Sequence, residues 1–206
     1  MLQMRSFLTG PLDVNCYLVY DTESKKAFMV DPGGVNSAMT SFIEQQKLSI
    51  EFIILTHAHA DHIGGVPTYQ KQFHAPLYVH EDEIPLLESA NYNFSRGVLG
   101  QDILLKADRL LKDQEEIPFC GELIKIIHTP GHSPGGICIL VQNWLFCGDT
   151  LFAGSIGRTD FPLCSTEALM SSIKNKLFVL DPDTIAFPGH GEATTIGHEQ
   201  KYNPFF

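Results

Sequence analysis

His57-Ala58-His59-Ala60-Asp61-His62 places three imidazoles and a carboxylate within six positions, a density of nitrogen and oxygen donors of the kind that zinc, iron and manganese accept. The apolar run Phe52-Ile53-Ile54-Leu55 leads straight into it. Such a run reads as a short buried strand, so the donors are expected where the strand ends and the chain turns into a loop. Residues two apart on a strand share a face, which would let His57 and His59 converge on one point; the same pair on a helix would diverge. A polar loop with a few histidines is the bland alternative, and the crowding of donors argues against it.

Upstream of this stretch the chain reads as strands separated by turn residues: 3–8, 15–20 and 27–30, with Gly10-Pro11, Asp21-Thr22 and Asp31-Pro32-Gly33-Gly34 as breakers. Residues 37–46 place Met39, Phe42 and Ile43 at helical spacing and predict an amphipathic helix on a sheet face. Downstream, Gly64-Gly65 leaves room for the backbone near a bound ion, a helix is expected over 66–73 and a short strand over 77–79. Residues 81–116 are the least legible: 81–90 reads as one helix, and 91–97 has no period and suits a loop. Strands are expected again at 123–127, 136–141, 144–147 and 184–187, and helices at 166–177 and 194–202. Each half is thus a meander followed by a covering helix, a pattern of sheets packed between helices.

The 206 residues suit one domain, 1–206, since neither a linker nor a repeat interrupts them. Hydrophobic residues make up 44% and charged ones 18%, which excludes a disordered chain. A formal charge of −10 argues against a nucleic-acid partner. The longest apolar runs, such as 137–141, are far too short to span a bilayer and the first five residues lack a signal-peptide core, so a cytoplasmic location without a membrane partner is expected. Five cysteines without a C-x-x-C pair resemble neither a disulfide framework nor a zinc ribbon, and small core residues are expected of them.

Three further stretches each join a strand to a Gly-rich turn bearing a metal-competent side chain. They are His128-Thr129-Pro130-Gly131-His132-Ser133-Pro134-Gly135, Phe146-Cys147-Gly148-Asp149-Thr150, and Phe187-Pro188-Gly189-His190-Gly191. The order H-x-H-x-D-H, T-P-G-H, G-D, P-G-H-G across residues 57–191 resembles the metallo-β-lactamase fold family. That resemblance implies an α/β fold, a four-layer αβ/βα sandwich with its site at the sheet edge. It also implies a ligand set: His57, His59 and His132 on one ion, Asp61, His62 and His190 on a second, and Asp149 bridging them. His128 falls at a family position beside the site and reads as structural or supporting, while His74, His80 and His198 match no ligand position. The implied cofactors are two divalent ions, zinc foremost, with iron or manganese as alternatives. Such a pair lowers the pKa of a shared water to about 7 and supplies hydroxide at neutral pH, with Asp61 orienting the hydroxide as well as binding metal.

Asp149 stands where the β-lactamases of the family typically place Cys, which argues against antibiotic hydrolysis. The segment 154–162 and the ending Thr194 to Phe205 look like the short bacterial glyoxalase II-like hydrolases, or hydroxyacylglutathione hydrolases, which cleave thioesters such as S-lactoylglutathione. The expected partner is a small-molecule thioester, a glutathione conjugate. The sequence runs 16 residues (206 − 190) past His190, so the helical region with which larger glyoxalase II enzymes grip glutathione is not expected in it. Arg158 is then a candidate for binding a substrate carboxylate, with an ion pair to Asp160 or Glu199 as its alternative role. Two other readings stand beside the hydrolase: a persulfide dioxygenase with one iron on His57, His132 and Asp149, and a non-catalytic metal-binding protein.

Overall fold

The computed structural model describes all 206 residues and divides into two compact units, Met1–Val79 with Ile84–Leu110, and His80–Glu83 with Leu111–Phe206. In the first, β1 (Leu2–Thr9) and β2 (Val14–Asp21) form an antiparallel hairpin, and β3 (Lys26–Val30) pairs antiparallel to β2. After α1 (Ser37–Gln46), β4 (Ser49–Ile54) lies parallel to β3. The helix starts where the Asn36 side chain accepts the Met39 amide and ends at Lys47, which takes the left-handed conformation. Met39 and Ile43, four apart on one face, enter a core with Leu18, Met29 and Ile53, and each contributes about 1.5–3 kcal/mol by burial. The strand into the donor stretch therefore ends as its apolar run predicts, and a single helical turn, α2 (Ala60–Ile63), follows. Then come α3 (Val66–Phe73) and β5 (Leu77–His80), parallel to β4.

The helix expected over 81–90 is broken. A 3-10 turn at Glu81–Glu83 precedes α4 (Ile84–Leu87), α5 (Ala90–Asn93) and α6 (Ser95–Leu99). Pro85 lacks an N–H and suits only a first turn, and the Ser89 hydroxyl accepts the Tyr92 amide to begin α5. Phe94, at φ 62°, separates α5 from α6. β6 (Arg109–Leu111) closes the sheet, whose order is β1-β2-β3-β4-β5-β6.

The second unit holds β7 (Glu116–Phe119), β8 (Glu122–His128), β9 (Ile137–Val141) and β10 (Trp144–Gly148) as an antiparallel meander. A two-residue hairpin, β11 (Leu151–Phe152) and β12 (Ser155–Ile156), follows. The helix expected over 166–177 is α7 (Thr166–Ser172), capped by Ser165 and prolonged by a π-turn over Ile173–Leu177. That wider turn keeps Ile173 and Leu177 in a core with Leu145, Leu169 and Ala186, while Lys176 Nζ reaches Asp113 at 2.9 Å and the His128 carbonyl at 2.7 Å. β13 (Ile185–Pro188) runs parallel to β10, and with β14 (Thr194–Thr195) the order is β14-β13-β10-β9-β8-β7. The closing helix starts later than expected, since Thr194–Thr195 pair with β13 as β14 and Thr195 caps α8 (Ile196–Tyr202). None of the helices is long and apolar enough to cross a membrane.

Candidate metal centre

In the first unit the donors lie beyond β4, on a turn rather than on the strand. His59 is extended, with φ −67° and ψ 152°, and α2 starts at the next residue. His57 and His59 thus meet through the turn, their rings edge to face at 4.9 Å, and α2 returns the His62 ring to 4.0 Å from His57. Asp31, on the turn after β3, supports this arrangement and is itself only 2% exposed. Its carboxylate accepts the Thr56 amide at 2.7 Å, the Thr56 hydroxyl, and His62 Nδ1–H at 2.9 Å. The turn can pack so closely because Gly33 carries no side chain: a Cβ there would stand 1.7 Å from the Asp61 carbonyl oxygen.

In the second unit three strand ends deliver one donor each. The loop after β8 is closed by Thr129 N–H to Gly136 O at 2.7 Å. Within it His132 Nδ1–H donates to the Arg158 carbonyl at 2.8 Å, and the Cys164 thiol donates to the His132 carbonyl at 2.8 Å. Asp149 follows β10 and His190 follows β13; because these strands are parallel, both leave at the same edge, tied by Gly189 N–H to Gly148 O at 2.8 Å. Asp149 Oδ2 lies 3.6 Å from His132 Nε2 and 3.8 Å from His190 Nε2.

These partners test whether the residues suit metal. A carbonyl or carboxylate oxygen only accepts, so the proton of a neutral His62 or His132 sits on Nδ1 and the lone pair on Nε2. His62 Nε2 faces Asp61 Oδ2 at 3.9 Å, and His132 Nε2 faces Asp149 as above. A lone pair opposite a carboxylate oxygen calls for a cation between them. Donors about 2.0–2.2 Å from a tetrahedral ion stand roughly 3.3–3.6 Å apart, so small rotations bring either pair onto one. Histidine ligands anchored through their other ring nitrogen are the usual supporting arrangement of metal sites. The residues fit divalent ions, and Asp31, His57 and His62 bring one ligand atom each to within 4.8 Å of one another.

Each unit therefore gathers its own share of the expected ligands: His57, His59, Asp61 and His62 in one, His132, Asp149 and His190 in the other. Arg158 is half of an exposed ion pair with Asp160 and makes its link to the site through its backbone carbonyl. His128 serves structure, its Nε2–H donating to the Pro134 carbonyl at 2.9 Å and its ring stacking on His80 at 3.9 Å. His74 ends α3 in the left-handed conformation, and His198 packs on Tyr202. The sequence reading missed Asp31 as a support; its signal was a carboxylate in a turn directly after a buried strand.

The sequence pattern of the Metallo-beta-lactamase superfamily matches residues 9–190. The hydroxyacylglutathione hydrolase GloC of Haemophilus influenzae is 38% identical over 93% of this chain and 92% of its own. Among solved structures, the BLEG-1 B3 metallo-beta-lactamase is 38% identical with a TM-score of 0.91, covering 98% of this chain and 99% of that one. TTHA1623 in a di-iron-bound form is 33% identical with a TM-score of 0.85, covering 98% and 100%.

Proposed function

The chain belongs to the metallo-beta-lactamase superfamily, and from that premise we propose that it is a dinuclear metal-dependent thioester hydrolase acting on S-lactoylglutathione or a close glutathione conjugate. The observation that carries this reading is the 38% identity, over nearly the whole length of both chains, to a hydroxyacylglutathione hydrolase. His57, His59 and His132 would hold one ion, Asp61, His62 and His190 the other, and Asp149 would bridge them. Donors from both units enter this set, so the proposal requires residues 1–206 to work as one domain. Zinc suits the set, and a relative with two irons makes iron the first alternative. Bound there, divalent ions would lower the pKa of a water towards neutrality and act as Lewis acids on a carbonyl.

The protein's own groups would do the rest. Asp31 and the Arg158 carbonyl fix the tautomers of His62 and His132, Asp61 orients the attacking oxygen, and Arg158 binds a carboxylate of the thiol carrier. We place this chemistry in the cytoplasm, where a glutathione pool supplies that carrier. Purified protein loaded with zinc, and separately with iron, is expected to release lactate from S-lactoylglutathione and to lose the activity in His59→Ala. Inactivity on every thioester tried, at full metal content, would sink the reading. A second reading, β-lactam hydrolysis, is favoured by the 38% identity to a protein described as a B3 metallo-beta-lactamase. Turnover of nitrocefin above that of S-lactoylglutathione would select it.

A further inference from the structure

Arg158 and Asp160 form a bidentate pair, Nε to Oδ1 at 2.7 Å and Nη2 to Oδ2 at 2.7 Å. This is the fork geometry in which a guanidinium takes any carboxylate. Phe161 lies beneath the guanidinium, 4.0 Å from ring centroid to Cζ, which holds its plane without using a hydrogen-bonding edge. The backbone of Arg158 is tied to the centre, because its carbonyl accepts the His132 Nδ1 proton. Both side chains face solvent, 58% and 67% exposed, so the pair opens at little cost.

We propose that Asp160 is a built-in competitor for a substrate carboxylate: it occupies the Arg158 fork in the empty protein, and a carboxylate of the thiol carrier displaces it. Asp160 thereby makes it a determinant of specificity, tuning affinity for anionic carriers without touching the reacting carbonyl. The inference rests on the thioester reading above. The hydrogen bond from Arg158 holds the Asp160 carboxyl at about 2, so at neutral pH the competitor is always charged and Arg158 is never offered an uncontested fork. Phe161 keeps the guanidinium in place once Asp160 swings away, and the exchange trades one bidentate pair for another. A brace that merely fixed the loop would give the opposite result on removal, because losing Asp160 would loosen Arg158 and weaken binding.

The test uses binding and needs no turnover. Dissociation constants for glutathione and for glutathione diethyl ester, whose carboxylates are masked, are measured by calorimetry on metal-loaded wild type, Asp160→Asn, Arg158→Ala and the double variant. An exposed ion pair is worth little, so Asp160→Asn is expected to tighten glutathione by about two- to five-fold and to lower the ratio of the glutathione constant to the ester constant by the same factor. In the Arg158→Ala background the Asp160→Asn effect should vanish. Weaker glutathione binding in Asp160→Asn, an equal change for the ester, an effect that survives Arg158→Ala, or no glutathione binding to either wild type or Asp160→Asn overturns the proposal. Lack of thioester hydrolysis alongside the expected binding pattern would instead overturn the thioester reading alone.

Discussion

Asp31→Asn separates what Asp31 does for the fold from what it does for metal. The wild-type carboxylate accepts from three donors: the Thr56 amide, the Thr56 hydroxyl and His62 Nδ1–H. Alanine would leave all three without that acceptor, at about 1–3 kcal/mol for each buried group. It would also sit in the left-handed conformation of this residue, φ 49°, at a cost of roughly 1–2 kcal/mol. Against a total stability of about 5–15 kcal/mol, that variant tests folding only. Asparagine has the same shape and tolerates the left-handed region. Its carbonyl can keep the Thr56 amide, and its NH2 can donate to the Thr56 hydroxyl oxygen, reversing that bond. The same NH2 then points a proton at His62 Nδ1, which must become the acceptor, moving the His62 proton to Nε2, the atom proposed for metal. We expect the metal-free variant to lose only about 1–2 kcal/mol, since charged hydrogen bonds become neutral ones. Affinity for the second ion should fall 10- to 100-fold, the usual effect of losing a partner of a ligating histidine. Urea unfolding of metal-free protein, chelator competition with zinc and nitrogen chemical shifts of the His62 ring read these quantities separately. Wild-type affinity for both ions with the His62 proton moved to Nε2 would show that Asp31 does not prepare His62 for metal.

Three further outcomes follow from the same structure. Gly157→Ala should cost about 3 kcal/mol or more and lower metal content in urea and metal-analysis measurements, because its Cβ would fall 1.8 Å from the Asp149 carbonyl oxygen and overpacking of that severity exceeds the common 1–3 kcal/mol range. Burial pushes the Asp113 carboxyl up, but hydrogen bonds from Lys176 and the His128 amide outweigh it and hold the group at about 2. Its ionised contacts thus stabilise the fold above about pH 4, near the unfolded value, and are lost as pH falls towards 2; Asp113→Asn should be less stable than wild type at neutral pH, with the gap closing between those limits in pH-dependent unfolding. Removing metal with a chelator should lower the unfolding midpoint, and restoring zinc at 100 times its dissociation constant should return about 2.7 kcal/mol per site, with tryptophan fluorescence and circular dichroism reporting one shared midpoint if the two units act as one domain.

The turns that carry the expected donors were legible in the sequence because each follows a local pattern: an apolar run leading into H-x-H-x-D-H at 57–62, or a strand and a glycine before His132, Asp149 and His190. The supports were not, because they depend on residues far apart in the chain. Asp31 reads as a turn residue until Thr56 and His62, 25 and 31 positions on, close around it. His80 and His128 likewise carry no joint signal until the fold stacks them. The breaks between residues 81 and 99 are set by Pro85, by the Ser89 cap and by the left-handed Phe94, and periodicity is blind to all three. His57 and His59 show the reverse: the convergence expected of a strand is reached through a turn, so the correct outcome had a different geometric cause.

Choosing between a thioester and a β-lactam turns on the leaving group, and there the surroundings of His132 are informative. Both reactions begin with attack on a carbonyl. A thiolate, with a thiol pKa of about 8.5, departs without a proton, whereas an amide nitrogen leaves far better when a general acid protonates it, a contribution of about 10²–10⁴ in rate. The groups beside His132 are poor acids at neutral pH. Arg158 does not release its proton, and Asp160 has already lost its own, being held at about 2. Burial pushes the Cys164 thiol upward, and its proton is donated to the His132 carbonyl. Arg158 with Asp160 therefore suits recognition of charge and not delivery of a proton, which favours the substrate whose leaving group needs none. We expect kcat/KM for S-lactoylglutathione to exceed that for nitrocefin by at least about 100-fold, the lower end of what a general acid supplies. A ratio near unity would mean that a proton donor, or a metal ion acting in its place, serves the leaving nitrogen equally well, and the preference for thioesters would then have to be sought in binding alone.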